Sequence, residues 1–276
     1  MFGGVSGDRG PLPTTLWSWD GKSWKCLSDG GPPPRSDAEL VYDSRRDRVV
    51  LFGGRTRNGR EQHFFGDTWE WDGRTWMQVA TLGPAPAPRV HMVAAYDPVA
   101  GVTLVAGGTS QSADFDDTWA WNGDRWTRLA SLNLTTLPNG MVTTADGRVA
   151  LVTMTPDSLL TGRGLLRLGV QRLDGSRWVT VDGNGPGFSP QAPTAATADG
   201  LLLFAGWEPD QTSATHRWNG RVWSKVTPSP PRRRGTRMVY DARRDVVVLI
   251  GGETEAGLTS EIWEWSAKAG WKRVAP

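Results

Sequence analysis

The sequence predicts an all-β chain built from six copies of one four-stranded antiparallel unit, and three observations predict it. Six tryptophans, Trp24, Trp76, Trp126, Trp178, Trp223 and Trp271, follow one another at intervals of 52, 50, 52, 45 and 48 residues. A period near 50 residues marks one supersecondary unit copied along the chain. A second grid lies just upstream, as Trp17/Trp19, Trp69/Trp71, Trp119/Trp121 and Trp263/Trp265, with Trp218 alone in the fifth copy. Finally, 34 glycines and 19 prolines sit between short apolar runs, where turns of an all-β array belong.

The second copy shows the plan most completely. Glu39-Leu40-Val41-Tyr42-Asp43 reads as a first strand, closed by the polar turn Ser44-Arg45-Arg46-Asp47. Arg48-Val49-Val50-Leu51-Phe52 is an apolar second strand that stops at Gly53-Gly54. Thr68-Trp69-Glu70-Trp71 is the third strand, with both indoles on one face because side chains alternate. Asp72-Gly73 marks a tight hairpin into the fourth strand, Trp76-Met77-Gln78-Val79. The third and sixth copies keep this plan. The fourth and fifth shorten the first turn to Asp146-Gly147 and Asp199-Gly200, and put Thr153-Met154 and Gly206-Trp207 where the glycine pair should stand. The copies run approximately over 1–28, 35–80, 89–130, 138–182, 191–227 and 233–276, within one domain of 276 residues.

This pattern resembles the Kelch repeat: a β-branched strand into Gly-Gly, an aromatic-rich third strand, then a tryptophan five to seven residues on. It is most similar to bacterial Kelch proteins akin to the central domain of galactose oxidase. The resemblance covers essentially the whole chain and implies a six-bladed β-propeller, with blades packed face to face around a channel. A blade apolar on both faces makes that arrangement physically sensible. The first blade is expected to lack its innermost strand, because the chain opens at Phe2-Gly3-Gly4, the tail of a second strand. A longer natural chain, a three-stranded blade or a partner's strand would each account for it.

Composition excludes several function classes. With 31 basic and 29 acidic side chains the net charge is +2, too balanced to call for nucleic acid or an anionic membrane. One cysteine, Cys26, rules out an internal disulfide and a multi-cysteine metal site. No apolar run approaches the roughly 20 residues needed to span a bilayer. Met1-Phe2-Gly3-Gly4 does not open a signal peptide, and location is left open. A monomer without cofactor or metal is expected.

In the Kelch resemblance, the connections from strand four to strand one and from strand two to strand three emerge on one face, which becomes the candidate surface. Eight residues before each strand-one aspartate stand Arg35, Arg89, Pro138, Gln191 and Arg233. Three recurring arginines would suit a carboxylate or phosphate ligand, or would bind backbone carbonyls and serve the architecture. His91, two residues beyond Arg89, suits acid, base or ligand chemistry, or packing. Phe64 and Phe65 are adjacent in a polar loop and would anchor a partner, or one would fold back to pin the loop. Trp207 alone leaves the tryptophan grid and would stack on a sugar or aromatic ligand, or fill space. Asp114, Asp116 and Asp117 lack the spacing of a calcium loop.

The function expected is a non-catalytic module that binds a protein, peptide or glycan on this face through Arg35, Arg89, His91, Arg233, Phe64, Phe65 and Trp207. The alternatives are an enzyme resembling sialic acid mutarotases, or one propeller domain of a larger protein. The copper chemistry of galactose oxidase does not fit. Tyr42, Tyr96 and Tyr240 all occupy one repeat position before aspartate, and Cys26 lies in a fourth strand. No nucleophile elbow, phosphate loop or zinc motif is present.

Overall fold

The computed structural model describes residues 1–4, 12–58, 61–132, 137–156, 166–188, 192–206 and 212–275. Among them every regular element is a strand and no helix appears. The architecture is that of a β-propeller with four-stranded antiparallel blades. The chain forms two compact bodies, Met1–Asn133 and Leu134–Pro276, each described by itself.

Among the described residues five blades are complete, not the six expected from the tryptophan grid. The first copy supplies a two-stranded sheet, Thr15–Trp19 with Trp24–Asp29, and a single bridge from Phe2 to Leu16. The tryptophans sit on third and fourth strands, so the grid counts outer edges. A full blade also needs two inner strands. We keep the copy numbers and call the complete blades two to six.

In the N-terminal body, blade two pairs Glu39–Asp43, Arg48–Phe52, Thr68–Trp71 and Trp76–Val79 in order. Blade three pairs Val93–Asp97, Val102–Ala106, Asp117–Trp121 and Trp126–Ser131. In the C-terminal body, blade five comprises Thr194–Thr197, Gly200–Ala205, Ala214–Trp218 and Trp223–Val226. Blade six comprises Arg237–Asp241, Val246–Ile250, Ile262–Ser266 and Gly270–Ala275. Blade four has lost its third-strand tryptophans but keeps long strands, Leu137–Thr143, Val149–Pro156, Leu166–Asp174 and Arg177–Asp182. Its second strand runs through Thr153-Met154. In blade two, Gly53 and Gly54 turn the chain at φ 72° and 97°, a conformation residues with a Cβ rarely take.

Blades within a body are glued by indoles. Trp121 of blade three is fully buried, and its ring-mate Trp126 lies 5.1 Å from the Phe52 ring of blade two. The strand register shows a rule for the fourth-strand indole: its N–H donates to a third-strand threonine hydroxyl of the preceding blade. Trp126 donates to Thr68 at 3.0 Å and Trp271 to Thr215 at 2.9 Å. Thr68 pairs with Phe52 and Thr215 with Phe204. The corresponding residues are Leu16, bridged to Phe2, and Val170, paired with Val152. There the rule fails, and the buried Nε1 atoms of Trp76 and Trp223 are left without an acceptor.

Val170→Thr therefore supplies Trp223 with the hydroxyl its siblings have, in an isosteric side chain. We expect a gain of about 1 kcal/mol, read as a melting point raised by roughly 2–3 °C. The gain should vanish in a Trp223→Phe background.

Candidate functional site

In blades two, three and six the loops that precede the first strand and follow the second are tied together by one repeated device. Arg35 enters blade two with its side chain fully buried. Its Nη1 and Nη2 donate to the two carboxylate oxygens of Asp67 at 2.6 and 2.9 Å. Nη1 also reaches the Gly53 carbonyl at 3.0 Å, and Nε the Pro33 carbonyl at 3.1 Å. The guanidinium carbon lies 3.8 Å from the centre of the Phe65 ring. A rigid planar fork suits this bidentate, stacked setting.

Blade three repeats the device. Arg89, also with a fully buried side chain, clamps Asp117 and bonds the carbonyls of Gly107 and Ala87 at 2.9 Å each. Phe115 lies 3.9 Å from its guanidinium carbon. In blade six Arg233 donates to Glu261 at 2.6 Å, to the Pro231 carbonyl at 3.0 Å and to the Gly251 carbonyl at 3.4 Å. Trp263 stands 5.8 Å away. The first indole of each third strand steadies the acid: Trp69, Trp119 and Trp263 donate to Asp67, Asp117 and Glu261 at 2.7, 2.7 and 3.0 Å.

Electrostatics agree with this geometry. Burial works to raise the Asp67 and Asp117 carboxyls, but the arginine and indole donors outweigh it and hold both below their ordinary range. Arg233 first, then Trp263, pull Glu261 down to about 2.

Each clamp joins the three segments that build the candidate face. Ser36, Val90 and Arg234, next to the clamping arginines, bridge to Arg55, Thr109 and Glu253 just beyond the glycine pairs. The chain then rises in small ribbons, Arg55–Asn58 with Glu61–Phe64 in blade two and Glu253–Thr254 with Gly257–Leu258 in blade six. Gly54 also donates its N–H to the Arg89 carbonyl at 2.9 Å, passing the fixed geometry from one blade to the next. A Cβ there would sit 2.8 Å from the Ser36 carbonyl oxygen, so glycine is required.

The arginines are thus not presented to solvent, and the chain itself supplies their carboxylates. They position the loops. Phe65 is the phenylalanine that folds back, with His63 edge-on at 4.6 Å, while Phe64 stays half-buried in the ribbon. His91 is exposed and holds φ 55°, as Asp37 and Gly235 hold 58° and 68° at the same place. What recurs at this place is the left-handed backbone, not the histidine. Trp207 and Gln191 lie outside the described residues. Pro138 falls inside the first strand of blade four, paired with Thr153. Among the described residues no cluster of three His, Cys, Asp or Glu could hold a metal.

A second device, at the opposite end of the strands, was not foreseen. In blade two the turn arginine Arg46 donates to Asp43 and to Glu70 at 2.7 Å each, and Glu70 accepts the indole N–H of Trp121 at 2.8 Å. Blade six repeats it with Arg244, Asp241 and Glu264. Blades four and five reverse its charges. Val50 pairs with Glu70, whereas Ala150 pairs with Arg172 and Leu202 with Arg217. By the same register Thr144 and Thr197 stand at the place of Asp43. Asp146 and Asp199 are turn acids rather than strand-one residues. They accept from Thr144 at 2.5 Å and Thr197 at 3.1 Å, and face Arg172 and Arg217. The signal was present in sequence as an arginine where Glu70 stands, with a threonine at the Asp43 position.

No family model matches the chain. A stretch of 114 residues is 33% identical to the dynein regulatory complex subunit 7 of Chlamydomonas reinhardtii, covering 39% of this chain. The chain spans only 9% of the length of that relative.

Proposed function

We propose that this Kelch-type propeller is a non-catalytic binding module, whose candidate face takes a protein or peptide partner. The observation that carries the reading is the pair of buried clamps in the N-terminal body. They fix the loops around Arg35 and Arg89 while the tips stay open: Arg57, Glu61, His63 and His91 are exposed. Rigid loops lose little entropy on binding, and pre-organisation raises affinity without new contacts. Phe64 and His91 are the contact residues in this reading, and Phe65 with Arg35 and Arg89 holds their loops in place; Trp207 lies outside the described residues. The similarity to a protein named as a subunit of a complex supports a protein partner over a small substrate.

The test is a pull-down with the purified chain as bait. Phe64→Ala and His91→Gly should each weaken retention of the partner about tenfold or more, as at hot spots, with the melting point unchanged. Val99→Ser, in the exposed first turn of blade three, should leave retention intact. Retention indifferent to the loop variants would refute the reading.

A further inference from the structure

In the C-terminal body, blades five and six line a solvent-open cavity of about 100 Å³, bounded by Thr197, Asp199, Tyr240, Asp245, Trp265 and Ala267. The matching junction in the N-terminal body, between blades two and three, shows what normally fills this place. There Arg45 and Arg46 lie against two glycines: a Cβ on Gly101 would come within 2.6 Å of the Arg45 guanidinium, and one on Gly123 within 2.5 Å of that of Arg46. Blade five has neither arginine, because Ala198-Asp199 replaces the four-residue turn Ser44–Asp47. Its cavity is the space of two missing cations. On the far wall Asp245 holds the place of Gly101, each just before the residue paired with the strand-one aspartate, at φ 51° and 70°. It accepts the Tyr240 hydroxyl at 2.8 Å.

A carboxylate is missing as well. The second indole of a third strand ends on an acid of the preceding blade wherever the acid exists. Trp121 reaches Glu70 at 2.8 Å, and Trp218 reaches Asp182 at 2.9 Å. Trp265 is 5% exposed, lines the cavity, and its buried Nε1 has no acceptor. Arg217, standing where Glu70 would, spends Nη2 on Asp199 but leaves a buried Nε unpaired. A buried donor without a partner is destabilising, and Trp265 carries one on the cavity wall.

We propose that this cavity binds a small zwitterion, a free α-amino acid with a short side chain. Its carboxylate takes the N–H of Trp265, with Arg217 neutralising the Asp199 carboxylate on the cavity wall, and its ammonium sits against Asp245 beside the Tyr240 and Trp265 rings. Such a ligand restores both the cation and the carboxylate that blade two supplies from Arg46 and Glu70. The volume matches a molecule of alanine or serine size. The proposal is independent of the loop face, which lies at the other end of the strands.

The test is a titration of the full chain with L-alanine, followed by the indole N–H signal of Trp265 in a two-dimensional ¹H–¹⁵N spectrum and assigned by its loss in Trp265→Phe. A saturable shift is expected, with acetate alone and methylammonium alone each binding at least tenfold more weakly. Asp245→Gly, which copies blade three and suits the left-handed backbone, should weaken L-alanine at least tenfold while the melting point stays put. A cavity that holds only water gives no saturable shift and overturns the proposal. So does an unchanged affinity in Asp245→Gly, or acetate that binds as well as L-alanine.

Discussion

Arg89→Ala should destabilise the protein by about 3–5 kcal/mol, the range for breaking a buried ion pair by removing one partner. The side chain is fully buried, and Asp117, 13% exposed, would lose both of its guanidinium bonds. The carbonyls of Ala87 and Gly107 would lose their donor in the same step, and Phe115 its cationic platform. Three segments of blade three come apart together, so the loss should exceed that of any exposed arginine. Arg74→Ala, in an exposed hairpin turn, should stay within about 0.5 kcal/mol. Arg89→Lys should recover only part, because an ammonium cannot grip both carboxylate oxygens and two carbonyls in one plane. Urea unfolding at neutral pH reads all three variants. An Arg89→Ala midpoint equal to that of the parent would mean that the clamp contributes nothing and that the arginine is free for another role.

The clamp also shows how far the chain could be read from residues alone. The recurrence of Arg35, Arg89 and Arg233 was visible, and so was the match between Asp67 and Asp117. Their pairing was not, because arginine and acid stand 28 to 32 residues apart and the sixth copy changes the acid to Glu261. Strands were legible where an apolar run ends at positive-φ glycines, as Val49 to Phe52 does before Gly53. Blade number was not, because the repeated indoles mark outer strands, while the inner pairing of the first copy is reduced to the Phe2–Leu16 bridge. In blade four the third strand, Leu166–Asp174, forms with no tryptophan at all. Pairing with Val149–Pro156 replaces the missing signal. The charge reversal in blades four and five escaped for a related reason. Each half looks like an unremarkable surface residue until strand register puts the two side by side.

That reversal makes a second large effect predictable. Glu70→Arg alone should cost about 3–5 kcal/mol. It sets a guanidinium against Arg46 at a position only 5% exposed, and takes the acceptor from the Trp121 N–H. Arg46→Asp alone should also destabilise, since it places a new carboxylate beside buried Asp43 and Glu70. Combining the two with Asp43→Thr rebuilds the Thr–Asp–Arg arrangement that blade five carries as Thr197, Asp199 and Arg217. The combined variant should then be more stable than Glu70→Arg alone, with a coupling of about 2 kcal/mol in a mutant cycle. It should still fall short of the parent by roughly the 1–3 kcal/mol of an orphaned indole donor, because Trp121 would be left as Trp265 is. If the substitutions simply add, the three residues do not act as a unit. Blades four and five would then have arrived at their opposite charges independently rather than by an exchange in which each change required the other.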